Sequence, residues 1–296
     1  MFDNLQLKHA LGGGVNMERK KKISQKTGRC IFIICMAAVS LIFIYPLIYT
    51  ILASLKDNQE IFSNPFGFPK ALQFGNYIKA WGQARMQTYF LNSVFITGVT
   101  MFFHLLLGSM AAFVIARFQL KISRFMAGFF ALGMMIPIQS ILIPITKMAV
   151  SFHMSDNYLF LLGVYIAGGL PSTTFIMSNY LGSFSSEIEE AAIMDGCGMG
   201  RFYLKMLVPI SKPIFVTMGI MSFISTWNEL MVAMVLIKEN SMKTLPLGLL
   251  NFTGAYSTDY AGLCAAIVIT AVPIIIMYLL MQEHVEQGLT EGAVKG

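Results

Sequence analysis

The chain has 296 residues, 56% of them hydrophobic and only 12% charged, with a mean hydropathy of +0.66. A soluble domain carries about 25% charged residues, so this chain cannot cover a globular surface with ionised groups. That excludes an ordinary soluble enzyme, a disordered scaffold and a disulfide-stapled secreted module, and leaves an integral membrane protein.

The net charge of +6 fits the Lys and Arg that membrane chains collect in their cytoplasmic loops, and no nucleic-acid partner is expected. Residues 1–29 form a basic N-terminal segment with Lys8, Arg19, Lys20, Lys21, Lys22, Lys26 and Arg29. Met17, followed by Glu18 and the basic run, reads as a true start with residues 1–16 a leader; Met1 and Met17 both stay open as starts. The first apolar run, 30–53, is uncharged and longer than the ~7–15-residue core of a signal peptide, so it is a retained span. Further apolar runs, uncharged apart from Glu229, follow at 91–116, 125–146, 158–180, 213–237 and 261–282. Each exceeds the ~18 residues that mark a transmembrane helix.

Six spans place both termini on one side. Arg117, Lys121, Arg124, Arg201, Lys205, Lys212 and Lys295 join the N-terminal cluster there. The other side holds Lys56, Lys70, Lys79 and Arg85 in one long loop, with Lys147, Lys238 and Lys243. The imbalance predicts cytoplasmic termini. The expected fold is all-α and integral to the membrane, with six transmembrane helices. Pro46, Pro137, Pro144, Pro171 and Pro273 kink several of them, which suits a transporter as well as plain packing.

No P-loop pattern occurs, and no H-E-x-x-H. Cys30, Cys35, Cys197 and Cys264 form no CxxC pair, so neither a disulfide nor a metal site is expected, and no catalytic residue stands out. Glu229 is the one Lys, Arg, Asp or Glu well inside a span, whereas a proton- or sodium-coupled carrier needs a relay of ionisable groups. His104 and Asn179 read as partners of neighbouring helices. Ser222, Thr226, Trp227 and Asn228, beside Glu229, are the candidate substrate pathway. An aromatic face next to amides suits a hydroxylated ligand, with Glu229 orienting Asn228 or pairing with a group of a partner chain.

The loop at 185–209 is the most polar segment after the N-terminus. Ser186 and Glu189 fit a capping box, with acidic residues in the first helical turn. Ile188, Ala191 and Ala192 share a face, with Glu190 and Met194 on a neighbouring stripe. Asp195, Gly196 and Gly198 end the helix, since Gly takes positive φ without strain. A second amphipathic stretch returns to the membrane near Pro209.

Glu190-Ala191-Ala192, Gly196 after three intervening residues and Pro209 thirteen beyond that glycine closely resemble the EAA loop of permease subunits in bacterial ABC importers. Met206 and Val208 stand where Ile and Leu are usual. "NPFGFPKALQFGNYIKAW", "NSVFIT", "STWNELMVAMVL" and the terminal "QGLTEGAVKG" are similar to the carbohydrate-uptake branch, most of all to the six-span second permease of the maltose transporter family. The resemblance covers residues 30–296 and implies the type I ABC importer permease fold with a cytoplasmic EAA coupling helix at 185–209. It implies a chain in the bacterial cytoplasmic membrane that forms half of a sugar or oligosaccharide pathway. The implied partners are a second homologous permease, two cytoplasmic ATPases that bind ATP and Mg, and an extracytoplasmic binding protein. Glu190, Ala191, Ala192, Asp195, Gly196 and Pro209 would couple the chain to the ATPases. The loop at 238–260 would reach into the binding protein's cleft. The alternatives are a gradient-driven carrier or channel, an importer permease for a non-sugar solute, and a membrane-embedded enzyme.

Overall fold

The computed structural model describes the backbone of residues 3–118, 121–254 and 258–293, and the side chains of 28–118, 121–254 and 258–280. The basic side chains of the N-terminal segment other than Arg29, and the C-terminal signature, lie outside the described side chains. α1 (Asp3–Ser54) runs from that segment through the first apolar stretch. The loop after it holds α2 (Asn58–Ser63) and α3 (Gly75–Ile78), which passes into a π turn at Lys79–Gln83. α4 (Met86–Arg117) follows, then α5 (Lys121–Met134), α6 (Ile138–Ser151) and α7 (Tyr158–Gly182). α8 (Glu187–Met194), α9 (Met199–Phe202), a π turn at Tyr203–Leu207 and α10 (Val208–Ile210) lie together at one end of the bundle, called the inner end because the charge pattern of the sequence predicts it to be cytoplasmic. α11 (Lys212–Trp227) and α12 (Met231–Leu236) lead to α13 (Leu245–Leu249) at the outer end, and α14 (Tyr260–Ala293) completes the described chain.

Gly28–Ser54, Met86–Arg117, Tyr158–Gly182 and Tyr260–Leu280 are each long and apolar enough to cross a membrane. Two of the expected spans are broken, one of them at Pro137, a proline expected to kink its span, and the other where no breaker stands. The third is α5 and α6, bent by 96°, because Pro137 offers no N–H and holds an extended backbone (φ −68°, ψ 135°). The fifth is α11 and α12, parted at Asn228–Leu230 with neither proline nor glycine at the break. α11 itself is turned by 78° from the segment Met199–Ile210 that precedes it.

Apolar side chains gain nothing by leaving lipid for one another, so helices in a membrane associate where backbones approach closely and polar groups find partners. α4 and α7 meet in this way. Ser93, Thr97, Thr100, His104, Gly108 and Ala112 are buried at helical spacing down one face of α4. A Cβ on Gly108 would stand 2.6 Å from Thr173 Cγ2. One on Gly169 would collide with the His104 ring. His104 fills that notch. Its Nε2 is 3.1 and 3.2 Å from the carbonyl oxygens of Tyr165 and Ile166, and its Nδ1 is 2.7 Å from Ser222 Oγ. Carbonyls only accept, so Nε2 carries the proton and Nδ1 accepts from the Ser222 hydroxyl. One imidazole thereby joins α4, α7 and α11, as expected of a residue satisfied by its neighbours.

Around this seam two cores form. Ile96, Leu161, Val232 and Leu236 pack toward the outer end, and Phe113, Met177, Leu181 and Phe202 toward the inner end. α1 lies at the periphery, touching α2 and α14 through Ala53, Ile61 and Ala261, with Phe32, Leu41 and Phe43 exposed for lipid.

The seam generates a test. Gly169→Val should destabilise the chain by about 1–3 kcal/mol, the usual cost of overpacking. Gly163→Val, on the same helix with nothing near its Cβ position, should leave stability almost unchanged. Thermal unfolding of the purified chain in detergent distinguishes the two.

Candidate functional site

The inner loop begins with a cap that differs from the expected one. Ser186 already has helical backbone angles (φ −65°, ψ −20°) and makes no side-chain cap. Ser185 Oγ instead accepts from the Glu187 N–H at 3.2 Å. Glu189, assigned to the capping box, turns toward Arg117 at the inner end of α4, with 4.0 Å between Oε2 and Nη1. Arg117 also donates to the Phe184 carbonyl at 3.3 Å. The helix stops as the sequence predicts: Gly196 has φ +73°, where a Cβ would be strained. That turn lets the Cys197 N–H reach the Ala192 carbonyl at 2.9 Å.

Ala191 and Ala192 differ in their surroundings. Ala192 is 3% exposed and sits in the inner core with Phe113, Leu181 and Phe202, while Ala191 is exposed. The shared face expected for Ile188, Ala191 and Ala192 therefore holds only for Ile188 and Ala192. Glu190, Ile193, Met194 and Asp195 are exposed with Ala191, giving an outward surface of carboxylates and apolar side chains. Met194 is 87% exposed. A cleft of about 410 Å³ between this helix and α4 is lined by Arg117, Phe118, Ser186, Glu189, Glu190, Ile193 and Met199. Pro209 is exposed in α10, past the π turn that brings Tyr203 Oη to 2.6 Å from Ser109 Oγ on α4.

The fifth span divides the four pathway candidates. Ser222 is buried and bonded to His104. Trp227 is 1% exposed, stacked on Phe223 at 5.2 Å and edge-on to Phe90 at 5.8 Å, and its Nε1–H donates to the Thr270 carbonyl at 3.1 Å. Both are occupied in joining helices. Thr226 is half-buried and Asn228 exposed, its Nδ2 returning to the Ile224 carbonyl at 2.9 Å.

Glu229 does not orient Asn228. Its carboxylate accepts from the Val232 N–H at 2.7 Å, the Ala233 N–H at 3.1 Å and the Tyr165 hydroxyl at 2.5 Å. Hydrogen bonds to a charged group contribute about 1.5–3 kcal/mol each, against about 2.5–3.5 kcal/mol for a charge at the bilayer centre. Three such bonds outweigh that cost, so the carboxylate stays in place and holds the break between α11 and α12.

The outer loop is docked along most of its length. Asn92 donates to the Ser241 and Lys243 carbonyls, both at 2.9 Å, and Tyr158 to that of Met242 at 3.1 Å. Ser93 accepts from the Leu245 N–H at 2.8 Å and Tyr89 from Asn251 at 2.9 Å. Asp156, at φ +54°, receives the amides of Lys238 and Glu239 at 2.5 and 2.8 Å. Thr253 and Thr258 are bridged as an antiparallel pair at the tip; residues 255–257 between them lie outside the described residues. Among the described residues no group of three His, Cys, Asp or Glu side chains is arranged to hold a metal.

Residues 104–291 match the family described as "Binding-protein-dependent transport system inner membrane component". The chain belongs to this family. It is 34% identical over 252 residues to the "Probable ABC transporter permease protein YurM" of Bacillus subtilis, covering 85% of this chain and 84% of that one. It is 30% identical to the diacetylchitobiose uptake system permease protein NgcG of Streptomyces coelicolor, covering 86% and 85%. Its fold is similar to that in the crystal structure of a bacterial ABC transporter involved in the import of the acidic polysaccharide alginate, with a TM-score of 0.77 at 22% identity over 88% of this chain and 97% of that one. The family, the all-helical fold and the apolar helices make this permease a multi-pass membrane subunit.

The sequence marks Arg117 only as a charge fixing topology and Asn92 only as a polar side chain that bonds a neighbour or sits near an interface, and it does not reveal Tyr165 and Asp156 as fastenings. The available signal for Arg117 was its place at the end of an apolar run, in the last turn of α4.

The adjacent alanines of this permease give an expected contrast. Ala192→Leu should overpack the inner core by about 1–3 kcal/mol and expose the α8 loop to protease. Ala191→Leu, on the outward side, should change stability by no more than about 0.5 kcal/mol. Limited proteolysis of the purified permease with thermal unfolding checks both.

Proposed function

We propose that this permease forms half of the path for a sugar or oligosaccharide through the bacterial cytoplasmic membrane, with both termini in the cytoplasm. A second homologous permease supplies the other half. Two ATPase subunits bind ATP and Mg, and an extracytoplasmic protein delivers the cargo. The sugar assignment rests on relatives such as the diacetylchitobiose permease and on the similar terminal motifs of the sequence.

The observation that carries the reading is α8. It is anchored inward by Ala192 and presents Glu190, Ala191, Ile193, Met194 and Asp195 outward. A chain with no phosphate-cradling motif of its own but an exposed, firmly seated helix is suited to being moved by a partner that hydrolyses ATP. Gly196 and Pro209 set the angle and the return of that segment. At the other end, the docked loop at 238–253 offers its tip to the binding protein.

Along the path, Thr226 and Asn228 are the members of the pathway set that reach an accessible surface, and Ser222 and Trp227 hold the wall behind them. Sugar hydroxyls would bond the Asn228 amide, which keeps an oxygen free while its nitrogen bonds Ile224. Contacts this few suit a site that must also release its cargo.

Pull-down of the ATPase subunits, together with ATP-dependent uptake of labelled oligosaccharides in proteoliposomes, tests the reading. Glu190→Lys should weaken ATPase binding, by up to about 1 kcal/mol if its partner is an exposed cation. Gly196→Leu should abolish uptake by misplacing the whole helix. Full binding and full uptake in both variants would overturn the assignment of α8. In variants that assemble normally, Asn228→Ala should lower uptake while ATPase stimulation by the binding protein persists. Unchanged uptake would remove Asn228 from the path.

A further inference from the structure

We propose that α4 is a strut carrying movement between the outer loop and the coupling helix α8, with Asn92 and Arg117 as the positioning residues at its two ends. The proposal rests on the functional reading above and adds the route by which the two surfaces are linked. α4 is one continuous helix of 32 residues, about 48 Å at 1.5 Å per residue. The other three helices able to cross a membrane alone each contain a proline: Pro46, Pro171 and Pro273. The remaining two candidate spans are bent by 96° and 78°. Prolines and breaks are where helices bend, so α4 is the stiffest of these elements.

Its ends are fastened to the two surfaces that must communicate. Outside, Asn92 donates to two carbonyls of the loop, Ser241 and Lys243, while Ser93 and Tyr89 hold Leu245 and Asn251. Inside, the Phe113 ring lies 5.3 Å from that of Tyr203, and Ser109 bonds the Tyr203 hydroxyl. Arg117 grips the start of the coupling segment through the Phe184 carbonyl and Glu189. The Arg117 side chain is 7% exposed, and its Nε is buried without a hydrogen-bond partner. The inner joint therefore holds a spare donor able to re-pair as α8 shifts. Midway, His104 braces the strut against α7 and α11. A displacement of α8 reaches the loop through joints arranged in series.

The test uses the full complex of both permeases and ATPases in sealed, right-side-out vesicles. A Thr253→Cys substitution at the loop tip is modified from outside with a membrane-impermeant polyethylene-glycol maleimide. The unsubstituted chain serves as the control for the native cysteines. Trapping ATP and vanadate inside should change the modification rate about fivefold, the lower range of coupling between sites. Adding Asn92→Asp or Arg117→Gln should abolish that change while trapped nucleotide is retained. The two together should do no more than either alone, because joints in series fail at the first break. Arg117→Lys replaces Arg117→Gln where the latter fails to assemble. A change that survives both single substitutions, or single effects that multiply in the double variant, overturns the strut alone. No change in the parent complex overturns both the strut and the proposed link between loop and ATPase.

Discussion

The close contact of α4 with α7 is the constraint on which the rest depends. Lipid removes the ordinary drive for helices to associate, so the contact must come from missing side chains and completed hydrogen bonds. Gly108 and Gly169 supply the missing side chains, and His104 supplies the bonds in the notch that Gly169 leaves. Because His104 also reaches Ser222, the seam fixes where α11 lies, and with it the height of the break at Asn228–Leu230. The position of Thr226 and Asn228 at an accessible surface follows from an imidazole on another helix.

The break shows how polar groups can be left inside a membrane without a stability deficit. Freed amides at a helix start cost several kcal/mol each in hydrocarbon if nothing accepts from them. Glu229 accepts from two of them, and takes a third bond from the Tyr165 hydroxyl on the α7 side. The carboxylate needs the amides as much as the amides need the carboxylate. This reciprocity explains how a lone acidic residue can sit in a span without forming part of an ion relay.

Much of this was legible in sequence, and the exceptions have physical causes. The apolar runs reported the helices because only helices and closed barrels satisfy their backbone in the bilayer, and runs this long and uniformly apolar suit helices. Gly196 reported its turn because φ +73° excludes most other residues. Ser186 misled because a capping-box pattern records residue types and not backbone angles; Ser185 took part of the role once Ser186 adopted helical angles. Ala191 and Ala192 are adjacent on a helix and so point about 100° apart, which decided that only one could face the core. The polar group at 226–229 looked like a binding patch, since a Trp that anchors helices and a Trp that stacks on a ligand are identical in sequence. Its burial between Phe223 and Phe90, and the Thr270 carbonyl beside its Nε1, separate the two.

The two sides of α8 are held with unequal strength, and that inequality suits the task. Its inward side is fixed by a buried alanine in close packing, a guanidinium and two aromatic rings of the neighbouring segment. Losses there are large, because packed interiors do not deform smoothly. Its outward side offers exposed carboxylates and flexible methionine and isoleucine side chains, whose individual contacts are weak and reversible. In the coupling role proposed for α8, a joint stiff toward its own chain and yielding toward its partner would pass a partner's movement inward without binding that partner too tightly to let it reset. Reversing the inequality would leave a helix that follows the partner but drags nothing behind it. The buried Ala192 next to the exposed Ala191 is the smallest feature that sets the direction.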